Sequence, residues 1–291
     1  MKIFVTGASG FIGSAVTAEL IAAGHSVTGL ARSDQSAKAI REAGASFLAG
    51  TLEDLPVLQQ GASAADAVIH TAFIHDFNQY AKANEADRSA IRAMGEALSG
   101  TSKPMIVTAG ILGLPAIDGV VTEESAAKDL PRSSELTATG LAEKGINASI
   151  IRLPPSVHDK GDKGFVPFII LQARKHGVSG YPGKGNNHWP AVHRLDAARL
   201  YRLAIEKGAR GALYNAIGDR GIEVKQIAEL VGRKLAMPVK SLSAEETTAH
   251  FEWMGRFIGL DSVATSLKTS QELDWKSTQI GLLEDMEENY F

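Results

Sequence analysis

The chain has 291 residues, of which 44% are hydrophobic and 22% are charged, and it contains no cysteine. These proportions are typical of globular proteins and argue against disordered, collagen-like and membrane proteins. A net charge of −3 leaves no basic excess for nucleic acid or anionic lipid, and the lack of cysteine excludes disulfides, thiolate metal sites and cysteine nucleophiles.

No apolar run reaches the roughly 18 residues of a membrane span, and no apolar leader precedes the first predicted strand. We therefore expect no membrane partner, no nucleic-acid partner and a cytoplasmic location. The length fits either one large domain or two, at roughly 150 residues per domain.

Short β-rich runs alternate with helix-length segments in the first half of the chain. The runs that predict strands are KIFVTG, SVTGLA, SFLAG, DAVIHTA, PMIVTA and ASIIRLP. Helices are predicted between them at residues 11–23, 36–43, 55–60, 78–98 and 133–144. This alternation predicts parallel strands with right-handed crossovers, and the continuous apolar runs predict helices on both faces. The predicted fold class is therefore α/β, a doubly wound parallel (Rossmann) sheet.

The pattern changes after Pro155, where Gly, Pro and His interrupt shorter elements. Helices are predicted at residues 165–175, 196–206, 224–236, 244–257 and 279–288, with Asp196 as a helix N-cap, and a glycine-rich loop at residues 177–190. We predict a dinucleotide-binding domain over residues 1–155 and a smaller, mainly helical substrate lobe over residues 156–291, some of whose elements can return to the first domain. The cleft between them is the expected ligand site.

The turn TGASGFIG, residues 6–13, follows an apolar strand and opens a helix. Gly7 permits a tight turn, Gly10 lets the backbone approach a pyrophosphate, and Gly13 allows the helix to pack closely on the strand. The helix N-terminus offers free N–H groups to phosphate. A turn without a ligand is the alternative, but such a turn needs only one glycine. The predicted cofactor-binding residues of this turn are Gly7, Ser9, Gly10, Phe11, Ile12 and Gly13.

Three glycines at this spacing after Thr6 resemble the TGxxGxxG motif of the extended and atypical short-chain dehydrogenase/reductases, the NAD-dependent epimerase/dehydratase superfamily. The similarity continues in order through GHSVTGLAR, GTLEDL, VIHTA, GINASIIRLPPSV, VHRLDAARL and ELDWKSTQIGLLEDM. It implies a nicotinamide cofactor and a packing role for Trp275.

The resemblance also implies where the two ends of the cofactor lie. It places the adenine contact at Thr51 and Leu52, although Thr51 replaces the usual aspartate. Asp54 is expected to cap or face the start of the next helix, which is a structural role. The nicotinamide is expected beside Pro154, Ser156 and Val157. The carboxyl edge of the fourth strand, where open α/β sheets bind ligands, adds Thr71, Ala72 and Phe73.

The stretch LARSD, residues 30–34, ends the second predicted strand and bears on the choice of cofactor. An acid at this point accepts from the ribose 2′-hydroxyl, whereas an arginine accommodates a 2′-phosphate. Ala31 stands where the acid would, and Arg32 and Ser33 follow it. Arginine suits phosphate because its donors form a planar fork, so we predict NADP (NADPH) held by Arg32 and Ser33. Two alternatives stay open: Arg32 is a solvated loop residue, or Asp34 turns toward the ribose.

The catalytic pattern that the resemblance implies is incomplete. Its tyrosine and lysine fall near Ala127 and Pro131, whereas Thr108 matches the hydroxyl position on the fifth strand. The candidate substitutes are Arg132, Lys128, Tyr181 and the histidines His75, His158, His188 and His193. The alternative is a solvated loop charge for Arg132 and Lys128, a packing or substrate-wall residue for Tyr181, and a structural role for each histidine. We predict Thr108, Tyr181 and Arg132 as the catalytic residues and no metal site.

The sequence thus predicts an NADP-dependent oxidoreductase that reduces a carbonyl or activated double bond of a small organic substrate. Two alternatives remain: a non-catalytic NADP-binding regulator or sensor, and an epimerase or dehydratase with relocated acid and base residues. The resemblance also implies a homodimer as one option, through the helices at residues 78–98 and 133–144.

Overall fold

The computed structural model describes residues 1–75, 79–127 and 133–291. Twelve strands and twelve α-helices lie in these described ranges. The strands are β1 (Lys2–Thr6), β2 (Ser26–Ala31), β3 (Ser46–Ala49), β4 (Ala67–His70), β5 (Met105–Gly110), β6 (Ala148–Leu153), β7 (Ser156–His158), β8 (Ser179–Pro182), β9 (His188–His193), β10 (Leu213–Asn215), β11 (Asp219–Glu223) and β12 (Val239–Leu242). The helices are α1 (Phe11–Ala22), α2 (Asp34–Glu42), α3 (Leu55–Ala64), α4 (Tyr80–Ala97), α5 (Ser134–Glu143), α6 (Phe165–His176), α7 (Arg194–Lys207), α8 (Val224–Leu235), α9 (Ala244–Phe251), α10 (Gly255–Ile258), α11 (Leu267–Leu273) and α12 (Leu282–Asn289).

The central sheet has seven strands, all parallel, in the order β10-β6-β5-β4-β1-β2-β3. The chain first winds outward from β1 through β2 and β3, then returns to the other side of β1 with β4, β5 and β6. The strand order therefore reverses between β1 and β4, where Thr6 is in register with His70. Ligands of open α/β sheets bind outside the carboxyl ends of the strands at such a point. The predicted doubly wound sheet is confirmed.

Helices cover both faces of this sheet. One core cluster joins α1, α2 and α7 to the sheet, and a second joins α3, α4 and α5 to the opposite face. All four residues of β4 are buried, which explains why the central strands read as continuous apolar runs. None of the helices in the described ranges has both the length and the apolar composition needed to cross a membrane.

A smaller, mainly helical lobe follows β6. Strands β7 and β9 pair in parallel, β11 pairs antiparallel with β9, and β8 pairs with β12. Helices α6, α8, α9, α10 and α12 share the apolar core of this lobe, which contains the fully buried Trp189 and Phe251. The predicted helical lobe is thus confirmed, although the sequence did not predict its short strands.

The chain returns to the first sheet after residue 155. Strand β10 pairs with β6, and α7 packs against α1. Both elements come from the segment predicted as the lobe, as that prediction allowed. The division into residues 1–155 and 156–291 stays a prediction.

Two details of the predicted helices are wrong. His193, not Asp196, caps α7: its Nδ1 accepts a hydrogen bond from the Leu195 N–H at 3.2 Å. Asp196 is fully buried, and its carboxylate instead accepts from the N–H groups of Thr278 and Gln279. The helix predicted at 244–257 is interrupted at Glu252, whose φ of 51° ends α9 and leads into a short 3-10 turn before α10.

Candidate functional site

The glycine-rich turn between β1 and α1 has no room for side chains. Gly7 has a φ of 74°, and a Cβ on it would lie 2.8 Å from the Thr71 Oγ1. A Cβ on Gly13 would lie 2.0 Å from the Gly7 carbonyl oxygen, closer than any real contact. The Gly10 N–H donates to the same carbonyl at 2.8 Å. The turn is therefore a tight cradle in which each of these two glycines is required by space.

The N-terminus of α1 lies open at this cradle. Gly10 is its N-cap and supplies no side-chain hydrogen bond, while the Ser14 N–H is the donor that closes the first helical turn on the Gly10 carbonyl. Ser9 and Gly10 are exposed, and Phe11 and Ile12 are partly exposed. Free N–H groups at an uncapped helix N-terminus favour an anion. This arrangement fits the diphosphate of a dinucleotide.

Arg32 and Ser33 follow β2 at the same edge of the sheet. Arg32 is exposed. Ser33 is the N-cap of α2: its hydroxyl accepts from the Ser36 N–H, and the Ser36 hydroxyl accepts from the Ser33 N–H at 2.9 Å. This capping role was not predicted, and it fixes the backbone that carries Arg32. The phosphate role of both residues stays a prediction.

Thr51 and Leu52, at the predicted adenine contact, differ in their surroundings. The Asp54 carboxylate accepts from the Thr51 N–H at 2.7 Å and from the Thr51 hydroxyl at 2.9 Å, and these hydrogen bonds lower the pKa of Asp54. Asp54 precedes α3 as its N-cap residue without a side-chain cap bond. Leu52 is buried in the second core cluster. Asp54 thus holds the loop, and Thr51 remains exposed beside it.

A buried polar chain supports the switch point of the sheet. The His70 imidazole contacts the Thr6 hydroxyl through Nδ1 at 2.7 Å and the Asp87 carboxylate through Nε2 at 3.1 Å. Asp87 also accepts from the Ser134 hydroxyl at 2.6 Å. Because the Asp87 oxygen accepts, the Nε2 carries the proton and the Nδ1 accepts from Thr6. The chain ties helices α4 and α5 to the strand that leads into the glycine turn.

Residues Thr71 to Phe73 extend from β4 over the switch point. The Thr71 hydroxyl donates to the Thr6 carbonyl at 2.7 Å, and the Ala72 N–H lies 3.4 Å from the Thr6 hydroxyl. All three residues are partly exposed. Phe73 turns toward Tyr80, whose ring centroid is 6.2 Å away. These residues line the carboxyl edge of the sheet, as predicted.

The loop after β6 leads directly into β7, so Pro154, Ser156 and Val157 reach the same edge. Pro154 is buried, and Val157 is partly exposed and in register with Val192. The Ser156 hydroxyl is buried and has no hydrogen-bond partner among the described residues. A buried hydroxyl of this kind costs free energy unless a ligand or water completes its hydrogen bonds.

Thr108 does not face open space. Its hydroxyl donates to the His70 carbonyl at 2.7 Å and lies 2.6 Å from the Tyr201 hydroxyl, and the residue is 6% exposed. These contacts attach α7 to β5. The catalytic role of Thr108 stays a prediction.

Tyr181 lies on β8, inside the lobe. The Lys225 ammonium is 5.8 Å from the centre of its ring, and the ring packs against Gly185 and the lobe core. Tyr181 is partly exposed. Its contacts favour a packing role as much as a catalytic one, and the proton-donor role stays a prediction.

The chain is similar to one family model and to several known proteins. The family model of the NAD dependent epimerase/dehydratase family matches residues 3–95. Over 98% of both chains, the protein is 46% identical to an uncharacterized protein of Schizosaccharomyces pombe. An uncharacterized protein of Saccharomyces cerevisiae is also 46% identical, over 100% of this chain and 99% of that protein. A ketoreductase of Stigmatella aurantiaca is 24% identical over 79% of this chain and 72% of its own length.

Solved structures show the same fold. A dTDP-glucose 4,6-dehydratase of Streptomyces venezuelae, with NAD and TYD bound, superposes with a TM-score of 0.78, at 18% identity over 100% of this chain and 96% of that chain. At 18% identity this superposition shows the fold alone, so the family assignment rests on the family model and on the two full-length relatives. This protein is a member of the NAD-dependent epimerase/dehydratase family.

The structure describes only part of the segment in which the resemblance places the family's tyrosine and lysine. Ala127, at the tyrosine position, is 8% exposed in a small apolar cluster with Ile111 and Val121. Pro131, Lys128 and the predicted catalytic Arg132 lie outside the described residues.

A buried ion pair anchors this family member just before that segment. Arg152 is fully buried; it donates to the Glu135 carboxylate at 2.8 Å and to the Thr122 and Ser125 carbonyls at 3.1 and 2.5 Å. Glu135 therefore has a structural partner. These bonds fix residues 122–125 against α5 and β6.

Of the four candidate histidines, two belong to a polar network with Asp159, Asp285 and Arg194 beside the glycine turn. The His158 Nδ1 lies 2.8 Å from the Asp285 carboxylate, and its ring contacts that of His193 at 5.3 Å. Burial lowers the pKa of His158. His188 pairs with Asp261 at 3.0 Å on the surface, and His75 is exposed beside Phe73.

These groups give little support to a metal site. One oxygen or nitrogen from each of Asp159, His193 and Asp285 falls within 4.8 Å of the others. However, the His193 Nδ1 already accepts from the Leu195 N–H, so its Nε2, the nitrogen nearer Asp159, carries the proton when the ring is neutral. Asp159 also pairs with Arg194 at 2.8 Å. The Asp159 carboxylate is thus already engaged in an ion pair, and the His193 ring in a helix cap.

Arg194 is the residue of this site that sequence reasoning missed. Its guanidinium donates to Asp159 at 2.9 Å, lies 4.7 Å from the centre of the Phe11 ring, and places Nη1 3.4 Å from the Phe11 carbonyl. Phe11 is the first residue of α1. A cation from the N-terminus of α7 thus sits beside the uncapped N-terminus of α1. In the sequence Arg194 is one arginine of VHRLDAARL, and this stretch alone indicates no contact with the glycine turn.

Proposed function

We propose that this protein is an NADP-dependent oxidoreductase that reduces a carbonyl group or an activated double bond of a small organic substrate. The observation that carries the proposal is the glycine cradle at an uncapped helix N-terminus, which no side chain can fill. A glycine cradle of this shape at the switch point of a parallel sheet is the arrangement that binds dinucleotides. The family assignment and the NAD in the dehydratase structure support a nicotinamide cofactor, and the ketoreductase relative supports carbonyl reduction.

The residues present fit a nicotinamide dinucleotide at three places. The N–H groups at Phe11 to Gly13, with the Arg194 guanidinium beside them, would hold the diphosphate. The exposed Arg32 would pair with a 2′-phosphate, and this is the basis for proposing NADP rather than NAD. The buried Ser156 hydroxyl, for which the described part of the chain offers no hydrogen-bond partner, would hydrogen-bond at the nicotinamide end.

NADPH, when bound, supplies a hydride to the substrate. The protein must then provide a proton, or a positive charge, for the oxygen that becomes negative. We keep Tyr181 and Arg132 as candidates for this step and Thr108 as the residue that orients the oxygen. A small molecule bound between the sheet edge and the lobe is the proposed substrate.

One specific observation favours the second candidate, a non-catalytic NADP-binding regulator. Ala127 occupies the position that the family resemblance gives to the catalytic tyrosine, and it packs into an apolar cluster. The same observation weighs more heavily against an epimerase or dehydratase, because those reactions depend most on an acid and base pair at that position.

Two measurements test the proposal, cofactor binding first and turnover second. NADPH and NADH are titrated by fluorescence, and loss of NADPH absorbance is then followed with a panel of ketones, aldehydes and quinones. We expect NADPH to bind about tenfold or more tightly than NADH, and at least one carbonyl compound to be reduced. Tighter binding of NADH would refute the NADP assignment. Tight NADPH binding without oxidation by any panel member would establish the regulator instead.

The oligomeric state needs its own measurement. A homodimer through α4 and α5, which pack against each other, remains the proposal. Light scattering on the eluting protein distinguishes it from a monomer.

A further inference from the structure

The face of the short lobe sheet that carries Ser156 also carries two other buried polar atoms. Ser156, His158 and Trp189 are each at most 2% exposed, and the Ser156 Oγ, the His158 Nε2 and the Trp189 Nε1 find no hydrogen-bond partner in the described ranges. Ser156 is in register with Ala191, and His158 with His193, so these side chains share one face of β7 and β9. Buried polar atoms are nearly always hydrogen-bonded, so three exceptions on one face point to a function.

Ser156 and His158 are two residues apart on β7. Such residues point to the same side of a strand and lie roughly 6.6 Å apart along it. One water with two hydrogen bonds of about 2.8 Å each spans most of this separation. A buried water needs roughly two to four polar partners. The Ser156 hydroxyl and the His158 Nε2 provide two of them, and the carboxylate of Asp219, which is in register with Ala191 on the other side, provides a third.

The His158 ring lies between two carboxylates. Its Nδ1 is 2.8 Å from the Asp285 carboxylate, and its Nε2 is 4.0 Å from the Asp219 carboxylate. In the neutral ring the Nδ1 carries the proton because the Asp285 oxygen accepts, which leaves the Nε2 as an acceptor. The Asp219 side chain is 31% exposed, whereas His158 is fully buried. A proton from solvent can therefore reach the Nε2 beside Asp219.

The charged and titratable groups that face His158 come from three elements. Burial, the largest effect, lowers the pKa of His158 below its ordinary value of 6.5, and His193 at the end of β9 lowers it further. Asp285 of α12 and Asp219 of β11 act in the opposite direction. The imidazolium is therefore populated mainly in acidic solution, and a proton that reaches the Nε2 near neutral pH is readily passed on.

We propose that Ser156 and His158 form a buried proton relay that serves the oxygen of the carbonyl group being reduced. Ser156 follows the loop from β6 that is predicted to reach the nicotinamide, so its hydroxyl is the catalytic group, and His158 acts through it as a positioning residue. The relay is a route to the proton that does not depend on Tyr181 or Arg132. This inference rests on the proposed function, because it supplies the proton that the reduction requires.

The proposed step conserves atoms and charge. As a hydride adds to the carbonyl carbon, the π electrons of the C=O bond move to oxygen, and the Ser156 Oγ–H bond breaks to form the O–H bond of the alcohol. The serine oxygen regains a proton from the His158 Nε2–H through the bridging water. The neutral imidazole then takes a proton from solvent beside Asp219. The net reaction consumes one hydride from NADPH and one solvent proton.

Two variants and two matched controls test the relay. Ser156→Ala removes the hydroxyl, while His158→Asn keeps a donor for Asp285 and removes the Nε2. The controls are Ser262→Ala and His250→Asn. Both control residues are buried, at 3% and 7% exposure, and the Ser262 Oγ and the His250 Nε2 also find no partner within the described residues, but neither residue lies on β7 or β9. Ser156→Thr keeps a hydroxyl and should rescue activity.

Turnover and stability should separate in these variants. The assay uses 2,3-butanedione, benzaldehyde or phenanthrenequinone, whichever the wild type reduces fastest. We expect kcat to fall about 100-fold in Ser156→Ala and His158→Asn and to stay within about threefold in Ser156→Thr and in both controls. The wild-type rate should rise as the pH falls toward 6, and His158→Asn should lose this rise. Ser156→Ala should melt at the same or a higher temperature, because it removes a buried hydroxyl without a partner.

Nitrogen NMR of the imidazole groups follows His158 without turnover. Ser156→Ala removes a donor from the water that hydrogen-bonds to the neutral ring, so the pKa of His158 should rise, whereas Ser262→Ala should leave it unchanged. A His158 titration that ignores Ser156→Ala, or equal kcat in all variants, would overturn the relay and leave the reductase standing. If the titration responds to Ser156 but the wild type never oxidises NADPH, the connection stands and the reductase does not. Ser156→Ala decides the test if His158→Asn fails to fold.

Discussion

Replacing Arg194 by alanine should weaken cofactor binding without unfolding the protein. In the structure Arg194 pairs with Asp159 at 2.8 Å and lies over Phe11, the first residue of α1. A charge-assisted hydrogen bond to a phosphate contributes about 1.5–3 kcal/mol, which corresponds to roughly 10- to 150-fold in the dissociation constant. We therefore expect Arg194→Ala to bind NADPH about 10- to 100-fold more weakly.

Arg202→Ala provides a matched control. Arg202 also lies on α7 and also pairs with α1, through Glu19 at 2.7 Å, and both arginine side chains are 24% exposed. Arg194→Ala loses the pair with Asp159, whereas Arg202→Ala loses pairs with both Glu19 and Glu206, and a partly exposed pair is worth about 0.5–1 kcal/mol of folding stability. The melting temperature of Arg202→Ala should therefore fall at least as far as that of Arg194→Ala.

The two variants should differ in how they bind the cofactor. Calorimetric titration of NADPH at low and moderate salt gives both the affinity and its salt dependence, and Arg194→Ala should lose part of that dependence. If both variants bind NADPH equally, or if Arg202→Ala loses as much affinity as Arg194→Ala, Arg194 acts only by holding α7 on α1.

Three further predictions follow from other parts of the site. Gly13→Ala should abolish NADPH binding because its Cβ would overlap the Gly7 carbonyl. Gly140→Ala, at a position of α5 with open space around it, should instead raise the melting temperature. Thermal melts and NADPH titrations of both variants compare the two effects. Arg32→Glu should shift the preference from NADPH toward NADH, read from the two dissociation constants, and an unchanged ratio would remove Arg32 from the site. Asp162→Asn should stabilise the protein at pH 8 by about 1–3 kcal/mol and change little at pH 3, as urea unfolding at both pH values would show.

The sign of the Asp162 prediction comes from burial. Burial raises the pKa of Asp162 to about 6, from its ordinary value of 3.8, although the Gly164 N–H and the Tyr290 hydroxyl donate to it. The native state therefore binds more protons than the unfolded state between these two values, and stability falls as the pH rises through them. Above pH 6 the ionised carboxylate carries the full cost, which an amide avoids. A variant that gains nothing at pH 8 would mean that the carboxylate is well solvated.

The central sheet was predictable because its strands are covered on both faces. Strands β1 to β6 therefore read as apolar runs, and the alternation with helices fixed their parallel order. Strand β10 has only three residues, Leu213–Asn215, and its partner β6 lies far away in the chain, so no local pattern marks it. The interruption of the helix at Glu252 was hidden for a similar reason: a left-handed residue at this point is held by tertiary contacts and not by a glycine.

The cofactor turn was predictable because its geometry demands a particular residue type. Only glycine fits at positions 7 and 13, because a Cβ at either position would overlap neighbouring atoms. The two glycines can be read directly from the sequence. Arg194 carries no such mark, since the Phe11 carbonyl it approaches is 183 residues away in the chain. The polar chain through His70 and Asp87 also joins distant elements, so the sequence could place these residues but not connect them.

Helix α7 explains how one fold positions both the cofactor turn and the lobe. Its middle is attached to the sheet through the Tyr201 hydroxyl on Thr108, and Arg202 holds it to α1. Its first residue, Arg194, reaches the N-terminus of α1, while its N-cap, His193, packs its ring against His158 of β7 in the lobe. A shift of α7 would therefore move the cation at the glycine cradle and the lobe strands together. The same helix that covers one face of the sheet therefore also sets the distance between the glycine turn and the lobe.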